Sequence, residues 1–194
     1  MRIYIVRHGQ TIWNLQERKQ GHSDSPLTLR GINQAQHIAD LLGRQNIDFA
    51  SANIIVSPLF RTQQFAQIIL ETLNISTEPT LNHLLKEHAF GAWEGLTQAE
   101  VDSQFPGETE KRKDDWWNYV IPGGGESYEI ISQRVKYFLN QNKDTDTMIL
   151  VCHEMISKVM RGLLLDLDND TTLALGHPQD TIYRIERGQL DEIK

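Results

Sequence analysis

Basic side chains stand at three points of this chain where a short apolar run ends. Arg7 and His8 follow the apolar start of "IYIVRHGQT", and His153 follows a second run late in the chain. A third run leads into "SPLFRT", which places Arg61 in the first turn of a predicted helix. The carboxyl ends of neighbouring parallel strands meet at one edge of a sheet, where such sheets bind ligands. Because guanidinium groups match phosphate oxygens, the sequence predicts a pocket for a tetrahedral dianion, with Gly9 letting the backbone turn away beside it.

The apolar runs that precede these residues are short and rich in β-branched residues, as buried strands are. They predict strands over Arg2 to Val6, Asn53 to Val56 and Thr147 to Cys152. A fourth segment, Thr181 to Glu186, alternates apolar and polar residues. We expect this segment to be an edge strand near the C-terminus.

Amphipathic helical patterns lie between the predicted strands. Thr28 and Ser127 are predicted helix N-caps, and Ser57-Pro58 is predicted to cap and open the helix that carries Arg61. Met155 to Leu165 also presents apolar residues at helical spacing. This alternation predicts an α/β fold of three layers, with a mostly parallel central sheet and helices on both faces.

The periodic pattern loosens between about residues 84 and 125. This stretch contains three of the four tryptophans and the sequence "PGGGES" near its end. We expect a small excursion of loops and helices over the active edge of the sheet. We expect the excursion to belong to a single domain spanning residues 1–194.

The composition of the chain limits the classes of molecule that it is expected to bind. Nineteen Lys and Arg against 26 Asp and Glu give a formal charge of −7, which does not favour binding to nucleic acid or to an anionic membrane. No apolar run approaches the roughly 20 residues that span a bilayer, and no signal-peptide pattern is present. The only cysteine, Cys152, leaves no disulfide framework. These features predict a cytoplasmic protein.

Six motifs occur in order along almost the whole chain, from Met1 to about Arg187. They are "RHGQT", "QGHSDSPLTLRGINQA", "SPLFRT", "KEHAFGAWEG", "PGGGES" and "ILVCHE". Together they resemble the successive motifs of the histidine phosphatase superfamily, the phosphoglycerate-mutase-like proteins. The short excursion that ends in "PGGGES" is similar to the phosphatase branch of that superfamily.

The resemblance implies a metal-independent phosphatase that hydrolyses a small-molecule phosphate monoester through a phosphohistidine on His8. It implies that Glu87 is the general acid and base. Glu94 is the nearest competitor, but in the family it belongs to a structural turn. The other implied residues bind the phosphoryl group or line its pocket: Arg7, Arg61, His153, Asn14, Gln20 and Gly21.

Glu154 departs from the family pattern, which commonly has glycine after the second histidine. Its backbone N–H remains available to bind substrate, whereas a carboxylate that points inward would repel a phosphate. We therefore expect the Glu154 side chain to point away from the pocket.

Two other functions stay open at this point. A cofactor-dependent phosphoglycerate mutase would need a second grip on an anion, which Lys111-Arg112-Lys113 could supply, although flanking acidic residues favour a solvated face. Trp116, Trp117 and Tyr119 either wall the leaving-group site or form a small core of the excursion. A non-catalytic phosphate-binding regulatory module is the other alternative, but no implied catalytic residue is substituted.

No metal or other cofactor is expected. The sequence "HEMIS" begins like a zinc motif, but Ser157 stands where the second histidine ligand belongs. The expected partner is a small-molecule phosphate ester. A homodimer that pairs through the C-terminal edge strand is left open.

Overall fold

A single sheet lies at the centre of the computed structural model, which describes all 194 residues. Its strands are Arg2–Arg7 (β1), Asn53–Val56 (β2), Thr80–Leu81 (β3), Thr147–Cys152 (β4), Ile182–Glu186 (β5) and Gln189–Ile193 (β6). The strand order is β3-β2-β4-β1-β5-β6. The first four strands pair in parallel, and β5 and β6 pair antiparallel. The prediction of a mostly parallel central sheet is confirmed.

Eight helices and two short 3₁₀ turns surround the sheet. The helices are Ile12–Leu15 (α1), Leu29–Gly43 (α2), Phe60–Thr72 (α3), Gln98–Gln104 (α4), Glu108–Asp114 (α5), Tyr128–Gln141 (α6), Glu154–Leu164 (α7) and Asn169–Ala174 (α8). The 3₁₀ turns are His83–Leu85 and Gly91–Trp93. None of the helices combines the length and the apolar character that crossing a membrane requires.

The two faces of the sheet are covered separately, which gives the predicted three layers. In β1, Tyr4 and Val6 belong to a core shared with α2 and α3. Ile3 and Ile5 point to the opposite face and belong to a core shared with α6 and α7. All four side chains are at most 1% exposed, so β1 is buried on both faces as its apolar run predicts.

Two predictions about these elements are wrong: the edge position of the strand near Thr181 and the N-cap of α3. The segment near Thr181 is not at the edge, because β5 lies between β1 and β6 and the outer strand is β6. The antiparallel β5–β6 hairpin was missed because Gln189–Ile193 is polar and exposed. The helix α3 begins at Phe60 with Leu59 as its N-cap, and Ser57 does not cap it. Thr28 and Ser127 do cap α2 and α6, as predicted.

The excursion between residues 84 and 125 contains α4, α5 and both short turns, and it has a small core of its own. Trp93 lies in this core and stacks on Tyr119 with ring centroids 6.0 Å apart. Trp117 packs instead against the core shared with α6 and α7, where it stacks on Tyr128, and Trp116 is 38% exposed. The prediction of a solvated basic face fits Lys111, whose side chain is 67% exposed, but it is wrong for Arg112, which is 8% exposed.

The loop that follows β1 packs tightly against the start of α2. A β-carbon added at Gly9 would lie 2.6 Å from the carbonyl oxygen of Gly31, and one added at Gly31 would lie 2.2 Å from the carbonyl oxygen of Gln10. Gly9 does not have a positive φ, so close packing rather than an unusual turn requires glycine there. This contact fixes the backbone that directly follows His8.

We expect Gly31→Ala to lower the free energy of unfolding by about 1–3 kcal/mol, because the added methyl group overpacks the contact with Gln10. Urea unfolding followed by circular dichroism measures this change. Gly176→Ala is the matched control, since a β-carbon there meets no atom within 4 Å. Equal stability of the two variants would contradict the prediction.

Candidate active site

Three neighbouring strands bring the basic residues together at one edge of the sheet. His8 follows β1, His153 follows β4, and Arg61 lies in the first turn of α3 after β2. The rings of His8 and His153 meet edge to face with centroids 5.2 Å apart, and Arg61 Nε lies 3.3 Å from His8 Nε2. None of the three is more than 3% exposed. The predicted convergence is therefore present in the structure.

The hydrogen bonds of His8 define its protonation. Its Nδ1 lies 2.8 Å from the carbonyl oxygen of Gly9, which can only accept, so Nδ1 carries the proton. Nε2 is then an unprotonated lone pair and accepts from Arg61. Burial lowers the pKa of His8 well below its usual value, and the charges of Arg61 and Arg7 lower it further. The imidazole is therefore neutral, with its nucleophilic nitrogen turned toward a guanidinium.

Arg61 is held by acceptors from the loop that precedes α2. It donates from Nη2 to the carbonyl of Gly21 at 2.8 Å, and from Nη1 to the carbonyl of Ser23 at 2.8 Å and to Asp24 Oδ1 at 2.7 Å. Asp24 also accepts from the backbone N–H groups of Phe60 and Arg61. Asp24 thus places the guanidinium and caps the start of α3 in place of Ser57. Asp24 was not predictable from the sequence, because its partner lies 37 residues away.

Ser57 orients the second histidine. Its hydroxyl lies 2.7 Å from His153 Nε2. The other ring nitrogen, Nδ1, is buried and has no hydrogen-bond partner. Burial lowers the pKa of His153 well below its usual value, so this ring is also neutral. If the hydroxyl donates to Nε2, Nδ1 carries a proton with no acceptor in the protein.

The Glu154 side chain does not point away, contrary to expectation. Its Oε2 lies 2.9 Å from Arg7 Nη1, and its Oε1 lies 3.8 Å from Lys158 Nζ. Arg7 also donates from Nη1 to the carbonyl of His177 at 2.7 Å, while its buried Nε has no partner. The carboxylate points inward because the side chains of Arg7 and Lys158 lie beside it.

The Glu87 side chain lies close to Arg7 and Glu154 and is 8% exposed. Its Oε1 accepts from the backbone N–H of His88 at 3.0 Å, and its Oε2 accepts from that of Met155 at 3.5 Å. Burial raises the pKa of Glu87 above its usual value, although the His88 N–H acts in the opposite direction. Glu94, the competitor, accepts from the backbone N–H groups of His22 and Ser23 and so holds that loop.

The similarity of this chain to known proteins extends over almost its whole length. Residues 3–191 match the family model of the histidine phosphatase superfamily, branch 1. The chain belongs to the histidine phosphatase superfamily. The resemblance drawn from its six motifs is confirmed, and the chain is an enzyme of this superfamily.

Relatives within the superfamily carry both phosphatase and mutase names. The chain is 28% identical over 193 residues to an adenosylcobalamin/alpha-ribazole phosphatase of Escherichia coli, covering 97% of this chain and 87% of the relative. It is 31% identical to a probable phosphoglycerate mutase of Erwinia tasmaniensis, covering 97% and 86%. The crystal structure of the alpha-ribazole phosphatase from Shigella flexneri superposes with a TM-score of 0.85 at 26% identity, covering 98% of this chain and 93% of that one.

The remaining residues that the superfamily motifs implied occupy supporting positions. Asn14 caps α1 through Thr11 and accepts from Gln179. Gln20 accepts from Ser25 Oγ, and Gly21 holds Arg61 through its carbonyl. Neither the Asn14 nor the Gln20 side chain hydrogen-bonds to the basic cluster, so their binding of phosphate stays a prediction.

His177 was also not predicted from the sequence. It supports Arg7, because its backbone carbonyl accepts a hydrogen bond from Arg7 Nη1. It is buried, and its Nδ1 lies 2.6 Å from Ser157 Oγ. Burial lowers the pKa of His177 to about 3. The only signal for His177 in the sequence would have been its position near the C-terminal strand of a histidine phosphatase chain. No group of three or more His, Cys, Asp or Glu side chains is arranged to hold a metal ion.

We expect Asp24→Asn to lower the free energy of unfolding by about 1–3 kcal/mol, because a buried guanidinium loses its charged acceptor. Guanidinium chloride unfolding measures the effect. Asp40→Asn removes the same charge from the exposed side of α2 and serves as the control. Indistinguishable midpoints for the two variants would contradict the role assigned to Asp24.

Proposed function

We propose that this chain is a metal-independent phosphatase that hydrolyses a small-molecule phosphate monoester through a phosphohistidine on His8. The observation that carries the proposal is the protonation of His8. Its Nδ1 proton is engaged by the carbonyl of Gly9, and its Nε2 lone pair faces Arg61. A neutral imidazole is a good nucleophile, and covalent catalysis divides one displacement into two easier ones.

The phosphoryl oxygens would be bound by the basic groups around that lone pair. Phosphoryl transfer depends mainly on positioning and on stabilising charge on the transferred oxygens. Arg7 Nε and His153 Nδ1 are buried without partners, and such groups are costly unless a ligand engages them. The N–H of Arg61 that now contacts His8 would turn to a phosphoryl oxygen when substrate binds. This donor set fits a tetrahedral dianion.

The reaction would take two steps. In the first, His8 Nε2 forms a bond to phosphorus while the ester P–O bond breaks, and Glu87 gives its proton to the leaving oxygen. In the second, water attacks the phosphohistidine, the P–N bond breaks, and the Glu87 carboxylate takes the proton of the water. Burial raises the pKa of Glu87, which favours the protonated form that the first step requires. Inorganic phosphate and neutral His8 are then restored.

In a mutase, an acceptor hydroxyl would take the place of water in the second step. The excursion between residues 84 and 125 is short, as in the phosphatase branch. We therefore propose hydrolysis rather than transfer to an acceptor hydroxyl. The chemical class of leaving group is a separate matter, since the phosphate-binding residues contact only the group that is transferred.

We expect His8→Ala to lower phosphate release from p-nitrophenyl phosphate by roughly 10³-fold or more, because the nucleophile is lost. The wild-type activity should persist in excess EDTA. His37→Ala removes an exposed histidine of α2 and should retain activity. Mass spectrometry after an alkaline quench should detect a phosphoryl group on the peptide that contains His8. Release that EDTA abolishes, or a fully active His8→Ala variant, would exclude this mechanism.

We expect Glu87→Gln to slow hydrolysis of an alkyl phosphate by about 10²–10⁴-fold, and that of p-nitrophenyl phosphate much less. An alkoxide needs the proton, whereas nitrophenolate is a stable leaving group. The measurement is kcat/KM for both esters in both proteins.

The pH dependence follows from the same two groups. Since the pKa of His8 is lowered and that of Glu87 is raised, activity on the alkyl ester should persist as pH falls below 6.5 and decline as pH rises through the Glu87 pKa. Glu87→Gln should abolish the decline on the alkaline side. Titration of the substrate phosphate is common to both proteins and cancels in the comparison. An unchanged alkaline decline in Glu87→Gln would rule out Glu87 as the acid.

A further inference from the structure

Glu154 brings a carboxylate to the basic edge of the sheet, in the first turn of α7. Its side chain is 25% exposed, and its Oε2 lies 2.9 Å from Arg7 Nη1. The next residue, Met155, donates its backbone N–H to Glu87 Oε2 at 3.5 Å. The carboxyl groups of Glu154 and Glu87 therefore lie at the N-terminus of the same helix.

Glu87 must carry a proton to act as an acid, yet several of its neighbours favour the ionised form. Burial has the largest effect on the pKa of Glu87 and raises it. The backbone N–H of His88 lowers that pKa, and so do the charges of Arg61 and Arg7. The N-terminus of the 11-residue helix α7 also favours a negative charge. A pocket that is built to bind a dianion is therefore an unfavourable place for a protonated carboxyl group.

Glu154 counteracts this effect in two ways. Its ion pair with Arg7 compensates the charge of one of the two guanidinium groups that act on Glu87. Its own charge also raises the pKa of Glu87, in the same direction as the larger effect of burial. Two carboxyl groups that lie close together do not readily ionise together. Because Glu154 is the more exposed of the two and has a cation beside it, Glu154 carries the charge and Glu87 carries the proton.

The other ionisable groups around Glu87 do not supply this negative charge. Tyr128 and Cys152 stay neutral, because burial raises the pKa of each to about 12. His22 Nε2 and Arg134 Nη2 donate to the backbone carbonyl of Glu87 at 2.9 and 3.0 Å. Burial lowers the pKa of His22, so that this ring is neutral too. Arg134 is a cation, and its charge is paired with Glu126 at 2.9 Å.

The surroundings of Glu154 are basic. Apart from Glu87, the charged side chains that face it are Arg7, Lys158 and Arg161. Lys158 Nζ lies 3.8 Å from Glu154 Oε1. The carboxylate of Glu154 is thus held between cations, while that of Glu87 would have to form in a buried space.

We propose that Glu154 is a positioning residue that keeps the general acid Glu87 in its proton-donating form beside the arginines that bind phosphate. The inference rests on the proposed function, in which Glu87 protonates the leaving oxygen. Glu154 itself transfers no proton. A role confined to holding Arg7 would change phosphate binding for every ester, whereas a charge that acts on Glu87 changes only those reactions that need the acid, and only on the alkaline side.

The first measurement follows the Glu87 carboxyl group in the substrate-free protein. Glutamate side-chain carboxyl carbons are labelled with ¹³C, and the Glu87 signal is assigned by its absence in Glu87→Gln. Its chemical shift is titrated with pH in wild type, Glu154→Gln and Glu154→Asp. Glutamine keeps an acceptor for Arg7 without the charge, whereas aspartate keeps the charge. Glu71→Gln is the matched control, because it removes one carboxylate from the exposed far end of α3.

We expect Glu87 to lose its proton at a lower pH in Glu154→Gln than in wild type. Glu154→Asp should retain most of the wild-type behaviour, and Glu71→Gln should coincide with wild type.

The second measurement is the ratio of kcat/KM for an alkyl phosphate to that for p-nitrophenyl phosphate, across the same pH range. This ratio cancels any change in phosphate binding. On the alkaline side, Glu154→Gln should lower the ratio by about 3–10-fold relative to wild type, since a neighbouring like charge is removed from the acid. On the acid side the ratio should stay unchanged.

An unchanged titration of Glu87 in Glu154→Gln would overturn the proposal. An equal loss of activity with both esters at every pH would also overturn it, and would leave Glu154 with the single role of holding Arg7. If instead the titration shifts while Glu87→Gln hydrolyses both esters as wild type does, the proposed function of Glu87 fails. The effect of Glu154 on the Glu87 proton is then still supported.

Discussion

The crowding of basic groups at one edge of the sheet is the constraint on which this site depends. Two imidazoles and a guanidinium lie buried within contact distance of each other, and a second guanidinium lies beside them. Because like charges in a poorly solvated space repel, the arrangement is stable only if both histidines are neutral. The burial and the charge repulsion that keep His8 neutral also leave its Nε2 unprotonated. The electrostatic cost of burying these basic groups and the reactivity of the His8 imidazole therefore have the same cause.

The surrounding chain limits that cost by giving each arginine a local acceptor. Asp24 and two carbonyl groups hold Arg61, and Glu154 and the carbonyl of His177 hold Arg7. These acceptors fix the direction of each guanidinium before any ligand arrives, which is the preorganisation that electrostatic catalysis requires. Arg112 has no such acceptor. In this respect it differs from Arg7 and Arg61, the two arginines that we propose bind phosphate.

The sequence predicted the parts of the molecule that depend on local pattern. The buried strands follow from apolar runs, and the caps at Thr28 and Ser127 follow from residue type. The convergence of His8, Arg61 and His153 follows if the predicted parallel strands are neighbours, which the structure shows them to be. Contacts between distant segments were not predictable in this way, as with Asp24 and Arg61. The burial of Arg112 was also missed, because a run of alternating charges does not reveal which side chain the fold turns inward. The inward direction of Glu154 depends on Arg7, which comes from a distant strand.

The position of β1 in the sheet has a consequence for how the protein is made. β1 is synthesised before both of the strands with which it pairs, β4 and β5, which begin at Thr147 and Ile182. Neither partner exists until most of the chain has left the ribosome, so the strand that presents His8 must wait unpaired during synthesis. Long-range pairing of this kind slows folding and exposes apolar strands in the meantime. No fragment that ends before β4 can bring His8 and His153 together.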